Sequence, residues 1–197
     1  MSFYTVAREI VRPVGALFFP IKVHGDRNLL PENTGVVLCA NHISFLDVIF
    51  LALTFKRQIH FVGKEKYAQN IILKPLFKWL GSFGINTEKP DIAAVKRCIG
   101  VAAGGDVLGI FPEGTRILNG KVSNPMPGVI MIAHKAKVPV FYAKISPRCG
   151  KFRLFVKTDI YIGNSISTQE LGVVGGRGSE YKEAAEKLMD KIYKLGE

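Results

Sequence analysis

An α/β domain with a mixed, mostly parallel sheet flanked by helices is the fold this sequence predicts, and three observations predict it. Short, continuous runs of apolar and β-branched residues recur at 36–40, 59–63, 107–111 and 138–145, the pattern of strands buried on both faces. Helix-like stretches lie between them, and strands alternating with helices imply crossover connections in a largely parallel sheet. The chain has 197 residues, enough for one well-formed core and too few for two comfortable ones. We therefore expect a single domain over 22–197, preceded by an N-terminal interfacial, amphipathic segment over 1–21.

Taken in order, residues 1–25 are apolar but broken by Arg8, Glu9, Arg12, Pro13 and Pro20, so no run reaches the roughly 18 residues a spanning helix needs. No small-residue cleavage site follows a long apolar core, which argues against a signal peptide. As an interfacial segment, it would put Phe3, Val6, Ile10, Leu17, Phe18 and Phe19 among lipid headgroups, with Arg8 and Arg12 on phosphates. Packing on the domain is the alternative. The apolar run 48–53 after the first strand reads as helical. Residues 71–80 are apolar with Lys74 and Lys78 one turn apart, either a core helix or one lying against lipid, lining an acyl channel or facing phosphates along with Lys64 and Lys66. Over 91–103, Ile92, Val95 and Ile99 form a helical stripe stopped by Gly104-Gly105. Further helices are expected over 128–137 and 179–195, the last capped by Ser179 with Leu188, Ile192 and Leu195 on one face. The glycines at 172–178 read as a flexible connector before it.

Lys and Arg outnumber Asp and Glu by 27 to 16, a net charge of +11, so an anionic partner or substrate is expected. The basic residues are dispersed among apolar segments without zinc-finger spacing or an RNP-type aromatic strand, which sets nucleic acid aside in favour of an anionic membrane surface or phosphorylated molecule. Cys39, Cys98 and Cys149 are odd in number and contain no C-x-x-C pair, consistent with structural thiols in a reducing compartment.

Chemistry concentrates where predicted strands end. After the strand at 36–40 comes Asn41-His42-Ile43-Ser44-Phe45-Leu46-Asp47. A turn entering a helix brings His42 and Asp47 within hydrogen-bond reach; the carboxylate then fixes the tautomer and leaves the second ring nitrogen free to take a proton. Ser44 is read as the cap of the following helix. After the strand at 107–111 comes Pro112-Glu113-Gly114-Thr115-Arg116, a tight loop whose arginine offers a planar fork of donors suited to phosphate. Glu113 either orients a substrate hydroxyl or holds Arg116. His24, His60 and His134 have no carboxylate at a suggestive spacing and read as structural.

Asn41-His42-x-Ser44-x-x-Asp47, followed by Phe111-Pro112-Glu113-Gly114-Thr115-Arg116, resembles the glycerolipid acyltransferase family, specifically the 1-acyl-sn-glycerol-3-phosphate acyltransferases. Val138-Pro139-Val140 is similar to that family's fourth motif. The resemblance implies His42 as general base, Asp47 as its orienter, and Glu113, Gly114, Thr115 and Arg116 as the acceptor-binding loop. It implies transfer of an acyl group from acyl-CoA or acyl carrier protein to lysophosphatidate, forming phosphatidate in phospholipid biosynthesis, with no cofactor or metal. The place of work would be the cytoplasmic side of a membrane, in peripheral or monotopic association. Three departures widen the range of acceptors: Thr87, with Lys89 after it, stands where the family has an arginine; Met126 precedes Pro127-Gly128; and Tyr142 replaces a proline. Glycerol 3-phosphate or another lysophospholipid is the alternative acceptor. Thioester hydrolysis and non-catalytic lipid binding are the competing classes.

Overall fold

The computed structural model describes residues 3–71, 74–86, 91–116 and 124–197. In chain order the elements are α1 (Phe3–Phe18), β1 (Ile21–His24), β2 (Val36–Ala40), α2 (Leu46–Thr54), β3 (Ile59–Lys64), α3 (Glu65–Ala68), α4 (Lys74–Leu80), β4 (Phe83–Ile85), α5 (Ile92–Ala103), β5 (Val107–Ile110), α6 (Gly128–Ala136), β6 (Val140–Pro147), β7 (Thr158–Ile162) and α7 (Gly178–Lys194). Seven strands form one sheet in the order β1-β7-β6-β2-β5-β3-β4. Every pairing is parallel except β6 with β7.

The sheet is the middle of three layers, and β2 shows why its residues are continuously apolar. Successive side chains of a strand point to opposite faces. Val37 and Cys39 enter a core with Cys98 and Ala102 of α5, Ile130 and Ala133 of α6, and Ala184 and Leu188 of α7. Val36, Leu38 and Ala40 enter a second core with Leu51 and Ala52 of α2, Leu80 of α4 and Tyr4 of α1. A polar residue on either face would be buried without water, so no alternation survives in the sequence.

The N-terminal helix is held against the domain through one face. Tyr4 is buried, donates its hydroxyl hydrogen to the Ala52 carbonyl at 3.1 Å, and stacks on Trp79 at 5.8 Å. Arg8 departs from expectation: its guanidinium is buried, donating to the Leu53 carbonyl at 3.5 Å and pairing with Glu9 at 3.1 Å, so it does not reach outward to phosphates. Arg12, Leu17 and Phe18 do face solvent. The side chains of Phe3, Val6 and Ile10 lie outside the described residues. In α4, Leu76, Trp79 and Leu80 pack on the core while Lys74 and Lys78 are exposed, a core helix with a cationic outer edge. No described helix is long and apolar enough to cross a membrane.

Two expectations about the last helix are corrected. Ser179 does not cap it, since the helix begins at Gly178. Instead Glu180 Oε2 accepts the amides of Val174, Gly175, Gly176 and Arg177, at 2.8 to 3.4 Å. The glycine-rich segment is thus a ring of amides folded around a carboxylate, anchored by the fully buried Val173, and not a loose connector.

Candidate active site

Parallel pairing of β2 with β5 matches Cys39 to Ile110. Three residues beyond each partner stand His42 and Glu113, so sheet register alone brings the two motifs to the same edge. The Glu113 Oε2 accepts the His42 backbone amide at 2.8 Å across 71 residues of sequence. Asn41 fixes the other flank: its side chain donates to the Ile145 carbonyl at 2.9 Å and accepts the Ile145 amide at 2.7 Å, extending the β2–β6 pairing by one step. The turn that carries His42 is therefore clamped from both neighbouring strands.

His42 and Asp47 meet as the spacing required. His42 Nδ1 lies 2.7 Å from Asp47 Oδ2, which also accepts the amides of Ile43 at 2.7 Å and Ser44 at 2.8 Å. The carboxylate is wholly buried in the first turn of α2, where the helix dipole favours negative charge. With Nδ1 turned to Asp47, Nε2 is the ring nitrogen directed away from it. Nε2 has no hydrogen-bond partner among the described residues. Phe111 lies flat against the imidazole, centroids 4.1 Å apart and planes 14° apart, and restricts the ring's rotation. Ser44 Oγ accepts the Leu46 amide at 3.2 Å, but the N-cap position of α2 is held by Phe45, so Ser44 is not the cap expected of it.

The loop after β5 divides into an inward and an outward half. Glu113 is buried, its second oxygen accepting the Tyr193 hydroxyl from α7. Burial pushes its carboxyl above the ordinary range, a shift opposed by the hydrogen bonds from Tyr193 and the His42 amide. These two bonds make Glu113 a brace between the base-bearing turn and the C-terminal helix, a task outside either expectation for it. Gly114 and Thr115 are exposed, and Arg116 lies half-buried over the ring of Phe45, 4.0 Å from its centroid. Gly114 has φ +66°, a left-handed conformation that favours glycine, and a Cβ there would displace the exposed side chain of Met126. Thr87 and Lys89 lie outside the described residues, as does the side chain of Lys66.

Tyr193 had no signal in the sequence beyond an aromatic residue near the end of an amphipathic helix. Among the remaining histidines, all read as structural, His24 finds a carboxylate only through the fold: its Nε2 stands 2.7 Å from Asp159 Oδ1, 135 residues away. Arg148 takes the other Asp159 oxygen at 3.0 Å, and these hydrogen bonds draw the Asp159 carboxyl below its ordinary value. His60 meets the Gly81 carbonyl and His134 the Thr168 hydroxyl, both structural contacts. Cys39 and Cys98 are buried thiols, whereas Cys149 is exposed. A cavity of about 150 Å³ is lined by Arg12, Ile21, Val23, Arg27, Leu53 and Thr54; no motif residue borders it.

Against known proteins, the sequence profile of the Acyltransferase family matches residues 20–146, which span β1 to β6 and include both motifs. The chain belongs to the acyltransferase family. It is 32% identical over 159 residues to the 1-acyl-sn-glycerol-3-phosphate acyltransferase of Bacillus subtilis, covering 78% of this acyltransferase and 76% of that one. It is 30% identical over 129 residues to a chloroplastic 1-acyl-sn-glycerol-3-phosphate acyltransferase of Arabidopsis thaliana, covering 62% of this chain and 35% of the plant protein. The chain therefore spans about a third of that longer relative. The crystal structure of the 1-acyl-sn-glycerophosphate acyltransferase from Thermotoga maritima superposes with a TM-score of 0.71 at 20% identity, covering 98% of this chain and 82% of that one. That likeness extends the shared fold to nearly the whole acyltransferase chain.

Proposed function

We propose that this acyltransferase moves a fatty acyl group from acyl-CoA or acyl carrier protein to the sn-2 hydroxyl of 1-acyl-sn-glycerol 3-phosphate, with His42 as general base. The observation that carries this reading is the His42–Asp47 contact of 2.7 Å, with Nε2 left to accept a proton beside an arginine-bearing loop. The names of the relatives supply the acceptor. Nε2 takes the proton of the acceptor hydroxyl as its oxygen attacks the thioester carbonyl. The tetrahedral intermediate expels the donor thiolate, which recovers the proton from the imidazolium. Asp47 holds the tautomer and stabilises the transient positive charge. Gly114, Thr115 and Arg116, on the outward half of the loop, bind the glycerol phosphate, Arg116 supplying paired donors. Glu113 contributes from behind by fixing the His42 turn. The site of work is an anionic membrane surface on the cytoplasmic side, approached peripherally, in keeping with the net charge of +11.

The test is thiol release from a panel of acyl-CoA and acyl carrier protein donors, with and without lysophosphatidate. We expect release to require the acceptor and to fall by roughly 10²–10⁴-fold in His42→Ala, the usual contribution of a positioned base. Release that proceeds without acceptor would make the protein a thioester hydrolase; release indifferent to His42 would remove the base.

A further inference from the structure

Four large apolar side chains stand in solvent at one place: Leu17 is 67% exposed, Phe18 41%, Leu154 56% and Phe155 66%. They come from two segments far apart in sequence, the end of α1 and the β6–β7 connection. The segments are joined directly. The Phe155 amide donates to the Phe18 carbonyl at 2.7 Å, and the two rings lie 5.8 Å apart. Phe155 holds φ at +62°, a left-handed conformation that a bulky side chain adopts only at a cost. Beyond its contact with Phe18, an exposed phenylalanine in a conformation suited to glycine gains little in the isolated protein; water meets most of its ring and the backbone is strained.

The surroundings identify what would meet it. Residues 147–158 carry Lys151, Arg153 and Lys157, with Arg148 paired to Asp159, and Arg12 is exposed on the helix of Leu17 and Phe18. Apolar tips flanked in sequence by cations fit a surface that is anionic at its face and hydrocarbon below, the layering of a bilayer leaflet with acidic headgroups. A second copy of this chain fits poorly, since each copy carries a net charge of +11.

Its position relative to the chemistry follows from strand register. The last residue of β2 paired with β6 is Ala40, opposite Ala143, while β6 continues to Pro147 before the connection begins. At about 3.3 Å per residue the tip starts roughly 13 Å beyond the β2 edge from which His42 projects, at the same end of the sheet. Rigidity comes from below. Phe152 packs edge-on against Phe50 of α2 at 4.7 Å, and Phe19 meets the same ring at 5.8 Å. Phe50 is one turn along α2 from Asp47.

We infer that Leu154 and Phe155 of the β6–β7 connection, joined to Leu17 and Phe18, form a wedge that inserts into anionic bilayers and seats the catalytic edge of the sheet against the lipid surface. The partner class rests on the membrane setting of the proposed function; the surface itself, with a contribution from the far end of the chain, goes beyond it. The N-terminal helix is then half of the membrane contact.

The test uses the full chain with sedimentation onto phosphatidylglycerol–phosphatidylcholine vesicles, comparing wild type with Leu154→Ser and Phe155→Gly. Turnover is followed in parallel on a short-chain lysophosphatidate kept below its micellar concentration. Phe155→Gly removes the ring and relieves the left-handed strain, so its melting temperature should equal or exceed that of wild type while its vesicle affinity falls by roughly tenfold or more. Both variants should retain full turnover on the soluble acceptor. Unchanged vesicle binding in both variants would overturn the wedge. So would unchanged vesicle binding accompanied by slower transfer from a carrier-protein thioester, which would make this a docking surface for an acidic protein. Vesicle binding is read independently of turnover: absence of acyl transfer in wild type would sink the proposed function, while the binding comparison would still decide the surface.

Discussion

Tyr193 reaches Glu113 from 80 residues downstream, and Glu113 in turn holds the backbone of His42. In the proposed mechanism neither residue touches substrate, so their contribution is to the placement of the imidazole. Tyr193→Phe should lower kcat by about fivefold, the equivalent of one hydrogen bond of roughly 1 kcal/mol, with little change in KM for either substrate. Steady-state kinetics would check this, and a KM effect confined to the acceptor would return Glu113 to the acceptor site. Glu113 also sets a pH dependence of stability. Its carboxyl is raised by burial above the ordinary 4.5, so the folded state binds the proton more tightly than the unfolded chain. Stability from this group is therefore fully present below 4.5 and is lost as the pH rises through the raised folded value. Glu113→Gln, which keeps an acceptor for the His42 amide, should remove that decline, and melting curves across this window would show it. At Arg116 the expected outcome of replacement by Ala is a rise in KM for the phosphorylated acceptor with the donor KM nearly unchanged. Equal effects on both would end its assignment to the acceptor phosphate.

At the scale of elements, the C-terminal helix is fastened at both ends, and each fastening has a different consequence. Its start is organised by Glu180 within four backbone amides, and its end by Lys144, whose ammonium donates to the Tyr193 and Leu195 carbonyls. Cations at a helix C-terminus are favourable because they meet its unpaired carbonyls. Glu180→Ala removes the shared acceptor of those amides and should lower the denaturation midpoint with unchanged slope. Turnover at low temperature should survive, because Tyr193 lies about four turns away. The helix over 91–103 was legible from its stripe and its stop at Gly104-Gly105, whereas its cap, the Asp91 carboxylate accepting the Ala94 amide at 2.9 Å, came only from the structure. By contrast, β1, β4 and β7 are short and paired mostly at the sheet's margins, and nothing in their composition separates them from loop. Their strand character comes from the neighbours they pair with.

For the molecule as a whole, the N-terminal helix belongs to the core on one face and to the surface on the other. Tyr4 and Arg8 are buried against α2 and α4, while Leu17 and Phe18 are exposed. Removing residues 1–20 should thus weaken vesicle binding and also destabilise the domain, since it uncovers Trp79 and leaves the Ala52 and Leu53 carbonyls without their side-chain donors. Burying a side chain such as Tyr4 contributes on the order of 1.5–3 kcal/mol, a measurable drop in melting temperature. Loss of binding with an unchanged melting temperature would show that the helix does not support the core.

The sequence by itself determined the α/β class, the strands at 36–40 and 107–111 to within a residue, and the pairing of His42 with Asp47. These are local: periodicity, a turn entering a helix, and five residues of separation are contained within one stretch of chain. Tertiary structure alone decided that Glu113 faces inward to Tyr193, that Arg8 is buried, that His24 finds Asp159, and that Phe155 meets Phe18. Each joins segments whose proximity is set by strand order and register or by helix docking. Side-chain pattern specifies which face of an element is apolar, but the partner across that face is chosen by how all the elements pack together.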